Sequence, residues 1–147
     1  MNKKYFAYGS NMDQDQMKSR CPDSKFLTVV YLENYKFVYD GYSKTWKGSA
    51  ANIVPENGSI VWGVLYSISE NDEKNLDEKE GYRKNIYNKK EVIVKDKDGN
   101  SYKALAYLRP PKQKGKPSDA YEKKIVDAAK KLNFPEQYIK KYLIVSE

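Results

Sequence analysis

Two stretches of the chain carry residues whose types and spacing could do chemistry. In the first, Tyr8-Gly9-Ser10-Asn11 follows a short aromatic run and precedes Asp13, a residue suited to capping a helix. A strand that enters a tight loop and then a helix N-terminus turns backbone N–H groups outward, and glycine lets a ligand approach them because it has no Cβ. Such donors favour a carboxylate or a developing oxyanion. The same four residues also describe an ordinary strand-to-helix turn. The second stretch holds Glu73, Asp77, Glu78 and Glu80. A helix advances about 100° per residue, so Glu80 lies only about 40° round from Leu76 while Glu78 lies about 200° away. Leu76 points to a core, so Glu80 points inward and Glu78 to solvent. Burial and the negative end of the helix dipole both raise a carboxyl from ~4.3, toward the range useful to an acid or base at neutral pH. A solvated Glu ahead of a capping glycine is the other reading. Tyr121 is either a hydrogen-bonding group for a ligand or part of the core, and Trp46 and Trp62 read as packing.

Composition narrows the chemistry further. The 147 residues include no His and one Cys. A Ser-His-Asp or Cys-His unit cannot be built, and a zinc site lacks its usual ligands, so no metal or cofactor is expected. Proton transfer falls to Asp, Glu, Lys or Tyr. Cys21 has no partner for an intramolecular disulfide and Met1 to Lys4 leads directly into a strand-like segment, so a reducing cytoplasm is the expected location. No apolar run approaches the ~18 residues of a membrane span. The net charge is +7, and between Lys112 and Lys141 nine lysines face four carboxylates. That tail is either the solvated side of lysine-rich helices or a nucleic-acid surface. A single-strand binder would interleave aromatics with the basic groups on one open face. Here Tyr121, Ile125 and Leu132 form an apolar stripe with the lysines elsewhere, so no nucleic-acid partner is expected.

The elements that must position these residues follow from pattern and punctuation. Lys4 to Tyr8 reads as a strand. Asp13 caps a short helix, with Gln16 at the fourth place of a capping-box pattern and Met12 and Met17 at staple positions; Cys21-Pro22 ends it. Phe26 to Tyr39 reads as one or two strands, Ala50 to Val54 as a short one, and Asn57-Gly58 as a turn before a strand over Ile60 to Ile68. Ser69 caps a helix over Glu70 to Glu80, with Gly81 just beyond its end. Asp98-Gly99 joins two strands in a hairpin. Ser118 caps a helix whose apolar face is Tyr121, Ile125, Ala128, Ala129 and Leu132. Pro135 opens a last short helix. Strands dominate the first two-thirds without alternating as βαβα, which predicts an α+β fold with helices packed on a twisted or barrel-like sheet.

Several of these segments, taken in order, resemble the γ-glutamylcyclotransferases. Lys4-Tyr5-Phe6-Ala7-Tyr8-Gly9-Ser10-Asn11-Met12 looks like that family's N-terminal signature. The likeness continues through Trp46-Lys47-Gly48, Val61-Trp62-Gly63-Val64 and Leu76-Asp77-Glu78-Lys79-Glu80-Gly81. It resumes at Tyr107-Leu108, at Pro117-Ser118 with Tyr121 to Ile125, and at Phe134-Pro135 with Tyr138. The resemblance implies one domain over residues 1–147, with a small twisted, barrel-like mixed β-sheet and flanking helices. It implies Glu80 as catalytic acid/base and Tyr5, Phe6, Ala7, Tyr8, Gly9, Ser10 and Tyr121 as substrate-binding residues. The implied substrate is a γ-glutamyl amino acid or amide, cyclised to 5-oxoproline; relatives of the fold act on γ-glutamylamines or larger γ-glutamyl metabolites. A homodimer is also implied.

Overall fold

Five strands close into a barrel in the order β1-β3-β2-β4-β5. The computed structural model describes residues 2–82 and 86–145. The strands are β1 (Lys3–Ala7), β2 (Lys25–Ser43), β3 (Gly48–Ile68), β4 (Asn88–Lys95) and β5 (Ser101–Leu108). Neighbours run antiparallel except β1 and β5, which meet in parallel at Tyr5 and Leu105 and complete the ring. The sheet is therefore mixed, and closure removes the exposed edges that an open sheet of this size would carry.

The segment from residue 25 to 68 differs from the sequence expectation. Instead of three or four short strands it forms one long hairpin, β2 with β3, curled by register shifts after Phe26, Glu33 and Asp40. Asn57-Gly58 does not separate two strands. Tyr35 pairs with Pro55 and Glu33 with Ile60, so residues 56–59 bulge out of a continuous ladder opposite Asn34. Asn34 and Gly58 both take positive φ (66° and 85°), and the Gly58 N–H donates to the Asn34 side chain at 3.1 Å. Turn chemistry is thus used here for a bulge, which bends and twists a long strand enough to let the barrel close.

Helices seal the barrel and carry the ends of the strands. A 3-10 turn (Ser10–Met12) leads into α1 (Gln14–Arg20), where the Asp13 carboxylate accepts from the Gln16 N–H at 2.9 Å. Met12 and Met17 are both buried, as a staple requires. α2 (Glu70–Lys79) starts with a complete capping box between Ser69 and Asp72. α3 (Asp119–Lys131) is capped by Ser118 and buries Tyr121, Ile125, Ala128 and Ala129. α4 (Glu136–Tyr138) runs on into a π-helical turn, Ile139–Leu143. Gly48 shows why the Trp46-Lys47-Gly48 segment ends as it does. A Cβ there would lie 2.5 Å from the Ser118 nitrogen, so the start of β3 can pass under the cap of α3 only without a side chain. The core runs through the barrel from Phe6, Val30, Ile53 and Val61 to Leu76 and Ile125, all fully buried. No helix among the described residues is long and apolar enough to cross a membrane.

Candidate active site

β1 delivers the chain to a loop that is held from several sides. After Ala7 the backbone passes through Tyr8 and Gly9 into the 3-10 turn, whose first internal bond runs from the Met12 N–H back to the Gly9 carbonyl at 3.0 Å. The N–H groups ahead of that bond are those a helical turn leaves without an internal partner. Asn11 donates to the Tyr5 hydroxyl (3.0 Å) and accepts from Gln16 and Arg20 (3.0 Å each), while its carbonyl accepts from the Tyr66 hydroxyl (2.8 Å). Gln16 therefore does not complete a capping box; its amide reaches Asn11 and the Ser10 hydroxyl (2.8 Å) instead. Gly9 sits against β3, where an added Cβ would lie 3.1 Å from that of Ala51.

Helix α2 supplies the carboxylate. Leu76 is fully buried, Glu78 is exposed, and Glu80 caps the helix C-terminus with Gly81 beyond it at φ +66°. Glu80 lines the same cleft as the loop, on the inward side that the helical wheel indicates. It keeps partial solvent exposure as a residue although protein atoms crowd its carboxyl. Such a group is desolvated yet reachable. Burial pushes the carboxyl up from 4.5 to about 7, and the Arg20 and Arg109 guanidiniums pull against that rise. Among the described residues nothing hydrogen-bonds the Glu80 carboxyl.

The cleft is small, with a cavity volume of about 40 Å³, and opens to solvent. Tyr5, Phe6, Tyr8, Gly9, Ser10 and Tyr121 line it with Glu80. Ala7 does not: it is buried in the sheet opposite Val64, behind the wall. Four further residues line the cleft that sequence reasoning did not single out as site residues, namely Asn11, Ala51, Tyr87 and Tyr107. Asn11 lay in the loop motif and Tyr107 in a matching segment, so both carried a signal. Ala51 and Tyr87 carried none, because only the closed barrel brings them in.

The tyrosines divide by what their protons do. Tyr8 donates to the Tyr107 carbonyl (2.5 Å), Tyr87 to the Ala51 carbonyl (2.6 Å) and Tyr107 to Asp77 (2.6 Å). Tyr5 accepts from Asn11, and Tyr121 accepts from the Ala51 N–H at 3.0 Å. A hydroxyl has one proton to give. Among the described residues, no acceptor takes the protons of Tyr5 and Tyr121, whose hydroxyls line the cleft. Burial raises all five hydroxyls, so they are donors throughout the physiological range. Trp46 packs on Tyr121 with ring centroids 4.8 Å apart, and Trp62 packs between Tyr31 and Phe134. Among the described residues no group of three His, Cys, Asp or Glu is placed to hold a metal ion.

Comparison with known proteins gives this arrangement a lineage. The AIG2-like family matches residues 60–142. Over 141 residues the chain is 33% identical to the gamma-glutamylcyclotransferase of Homo sapiens and 31% identical to that of Mus musculus, covering 93% of this chain and 75% of each relative. The chain belongs to the γ-glutamylcyclotransferase family. A solved gamma-glutamyl cyclotransferase matches its fold with a TM-score of 0.90 at 31% identity, over 96% of this chain and 86% of that one. YkqA from Bacillus subtilis matches with a TM-score of 0.79 at 25% identity, over 95% of this chain and 52% of that longer one. The family's barrel with flanking helices is the fold found here.

Proposed function

We propose that the protein is a γ-glutamylcyclotransferase that converts a γ-glutamyl amino acid or γ-glutamyl amide to 5-oxoproline and the free amino acid or amine. The observation that carries this reading is the Glu80 carboxyl: raised to about 7, free of protein hydrogen bonds among the described residues, and open to the cleft that the Gly9-Ser10 loop also lines. The nucleophile belongs to the substrate, so the protein needs no Ser or Cys nucleophile of its own.

In the reaction the substrate's α-amine attacks its own γ-carbonyl. A C–N bond forms, closing a five-membered ring, and the amide C–N bond to the leaving amine breaks. Ionised Glu80 takes a proton from the α-amine as it attacks and returns it to the departing nitrogen, so no water is consumed. A carboxyl near 7 can do both. The oxyanion that forms at the attacked carbonyl's oxygen is stabilised by N–H groups of the loop, a contribution of about 3–4 kcal/mol where such a donor is well placed. The hydroxyls of Tyr5 and Tyr121 offer their unused protons to the glutamyl end. Holding the substrate curled supplies up to ~7–11 kcal/mol in favourable model systems.

The leaving group is an amino acid in the simplest reading, with γ-glutamylamines and larger γ-glutamyl metabolites as alternatives. No cofactor enters the chemistry. We place the protein in the cytoplasm, as a homodimer acting on a small molecule. The rival reading, a nucleic-acid binder, has less support. Along α3 the apolar stripe of Tyr121 and Ile125 is buried, while Lys123, Lys130 and Lys131 are spread over an exposed face without interleaved aromatics. Incubation with a panel of γ-glutamyl dipeptides and amides, with 5-oxoproline measured directly, tests the proposal. Release of glutamate in place of 5-oxoproline would overturn it.

A further inference from the structure

A buried ion pair stands behind the cleft wall. Arg109 directly follows β5 and is 6% exposed, and Asp40, near the end of β2, is 1% exposed. One guanidinium nitrogen of Arg109 bonds the Asp40 carboxylate and the other bonds the Asp40 carbonyl at 3.0 Å. The carboxylate also accepts from the Lys112 N–H (2.9 Å) and from the Asn52 amide (3.3 Å). Asn52 in turn grips the Arg109 backbone, accepting from its N–H (3.1 Å) and donating to its carbonyl (3.0 Å).

The guanidinium held in this way sits over Tyr87: its carbon is 4.8 Å from the Tyr87 ring centroid. Tyr87 lines the cleft, and its hydroxyl holds the Ala51 carbonyl while the Ala51 N–H holds Tyr121. A continuous set of contacts therefore runs from Asp40 through Arg109, Tyr87 and Ala51 to Tyr121. We infer that Arg109 is a positioning residue for the reaction: clamped by Asp40 against Tyr87, it fixes that wall of the cleft and keeps a permanent cation within range of Glu80.

Energetics favour this over a purely structural role. Desolvating two charges offsets most of what their attraction returns, and a well-packed apolar pair of similar volume serves stability as well or better. An apolar pair cannot supply a field. The charged groups that act on the Glu80 carboxyl are Arg20 of α1 and Arg109, while the neutral hydroxyls of Tyr5, Tyr8, Tyr87 and Tyr121 face it and feel its charge in turn. The tyrosines stay neutral, so the two arginines supply the charge, and a guanidinium does not lose its proton in a protein. Arg109 thus favours the ionised, proton-accepting form of Glu80 at every pH the enzyme meets.

This inference rests on the cyclotransferase reading, and its test separates the two. The kcat/KM for 5-oxoproline formation is measured from pH 5 to 9 for wild type, Arg109→Gln, Arg109→Lys and the double variant Asp40→Asn/Arg109→Gln, which leaves no buried charge alone if the single change unfolds. Loss of the cation in the Gln variants moves the acid limb upward, so that activity at pH 6 relative to the plateau falls about threefold. Arg109→Lys keeps the wild-type limb but raises KM, because an ammonium cannot reproduce the two-pronged grip on Asp40 together with the contact over Tyr87. If wild type forms no 5-oxoproline, the functional reading fails. If wild type is active and the folded Gln variants keep its acid limb, Arg109 is structural and the inference is overturned. A Lys variant whose limb moves as far as that of Gln overturns it equally.

Discussion

The Tyr107 hydroxyl donates a 2.6 Å hydrogen bond to the Asp77 carboxylate, one helical turn ahead of Glu80. Asp77 also pairs with Lys89 of β4 (3.1 Å), and Lys89 with Glu73 (2.9 Å), so one face of α2 is tied to β4 and β5. The ring of Tyr107 lines the cleft and meets that of Tyr5 edge-on at 6.0 Å. The end of α2 that carries Glu80 is thereby fixed to the barrel it serves. Tyr107→Phe removes the hydroxyl and keeps the ring. Losing a charge-assisted bond costs about 1.5–3 kcal/mol, read as a lower Tm. A fall in kcat of roughly tenfold should accompany it, as a misplaced catalytic group weakens the chemical step. Wild-type kcat in a folded Tyr107→Phe would mean that α2 is held adequately without this contact.

Glu80→Gln keeps the shape of the side chain and removes its proton chemistry. Loss of a general base costs typically ~10²–10⁴ in rate, so kcat should fall by at least ~10². Wild type should show an acid limb of kcat/KM from a carboxyl near 7, and that limb should be missing from the residual activity of the variant. Glu78→Gln is the control: Glu78 is exposed and its replacement should leave turnover unchanged. Turnover near wild type in Glu80→Gln would remove Glu80 from the mechanism.

The same carboxyl makes stability depend on pH. Its folded value of about 7 lies above the ordinary 4.5, so the folded chain holds this proton more tightly than the unfolded one. The resulting stability is complete below about 4.5 and is lost as pH rises through about 7. Glutamine is neutral at every pH and escapes that loss. Glu80→Gln should match wild type near pH 4 and become more stable above pH 7, by up to about 3 kcal/mol. Denaturant titrations of both proteins at pH 4 and pH 8 check the sign. An equal difference at the two pH values would show that the carboxyl is not desolvated.

What the sequence made legible was local. The inward side of α2 followed from Leu76, and the three caps at Asp13, Ser69 and Ser118 formed where the residue types placed them. Their cause is contained within a few residues of chain. The β2–β3 hairpin was less legible because Asn57-Gly58 serves equally for a turn and for a bulge. Only pairing of Tyr35 with Pro55 and Glu33 with Ile60 decides between them. Tyr87 and Ala51 were invisible for a related reason. Neither belongs to a motif, and their hydrogen bond spans 36 positions, created by barrel closure alone. Likewise Gln16 fitted a capping box by spacing, yet Ser10 and Asn11 lie close enough to take its amide instead.

Gly9 tests the loop. A Cβ here would lie 3.1 Å from that of Ala51 and 3.8 Å from the Tyr121 hydroxyl, and Ala51 cannot easily yield because Tyr87 and Tyr121 both hold its backbone. Gly9→Val should therefore push the loop into the cleft and out of register with its brace at Asn11. Calorimetry with a non-cyclising substrate analogue should show affinity reduced at least about tenfold, or about 1.4 kcal/mol. Unchanged affinity in a folded variant would reduce the loop to a turn.

The substrate itself discriminates cyclisation from hydrolysis. In the proposed reaction the α-amine is the nucleophile, and Glu80 must come within about 2.6–3.2 Å of it in the bound complex to accept its proton. Acetylating that amine leaves a poor nucleophile, so turnover should vanish. Shortening γ-glutamyl to β-aspartyl should also abolish turnover, since the same attack would have to close a strained four-membered ring. Changing the leaving amino acid should alter kcat/KM much less than either if Tyr5, Tyr121 and the loop act on the glutamyl half as proposed. Mass analysis of the products settles the route: cyclisation yields 5-oxoproline with no oxygen from labelled water, and hydrolysis yields glutamate carrying one. Release of free amine from the N-acetyl compound would show water to be the nucleophile, and Glu80 would then be activating that water in an amidohydrolase.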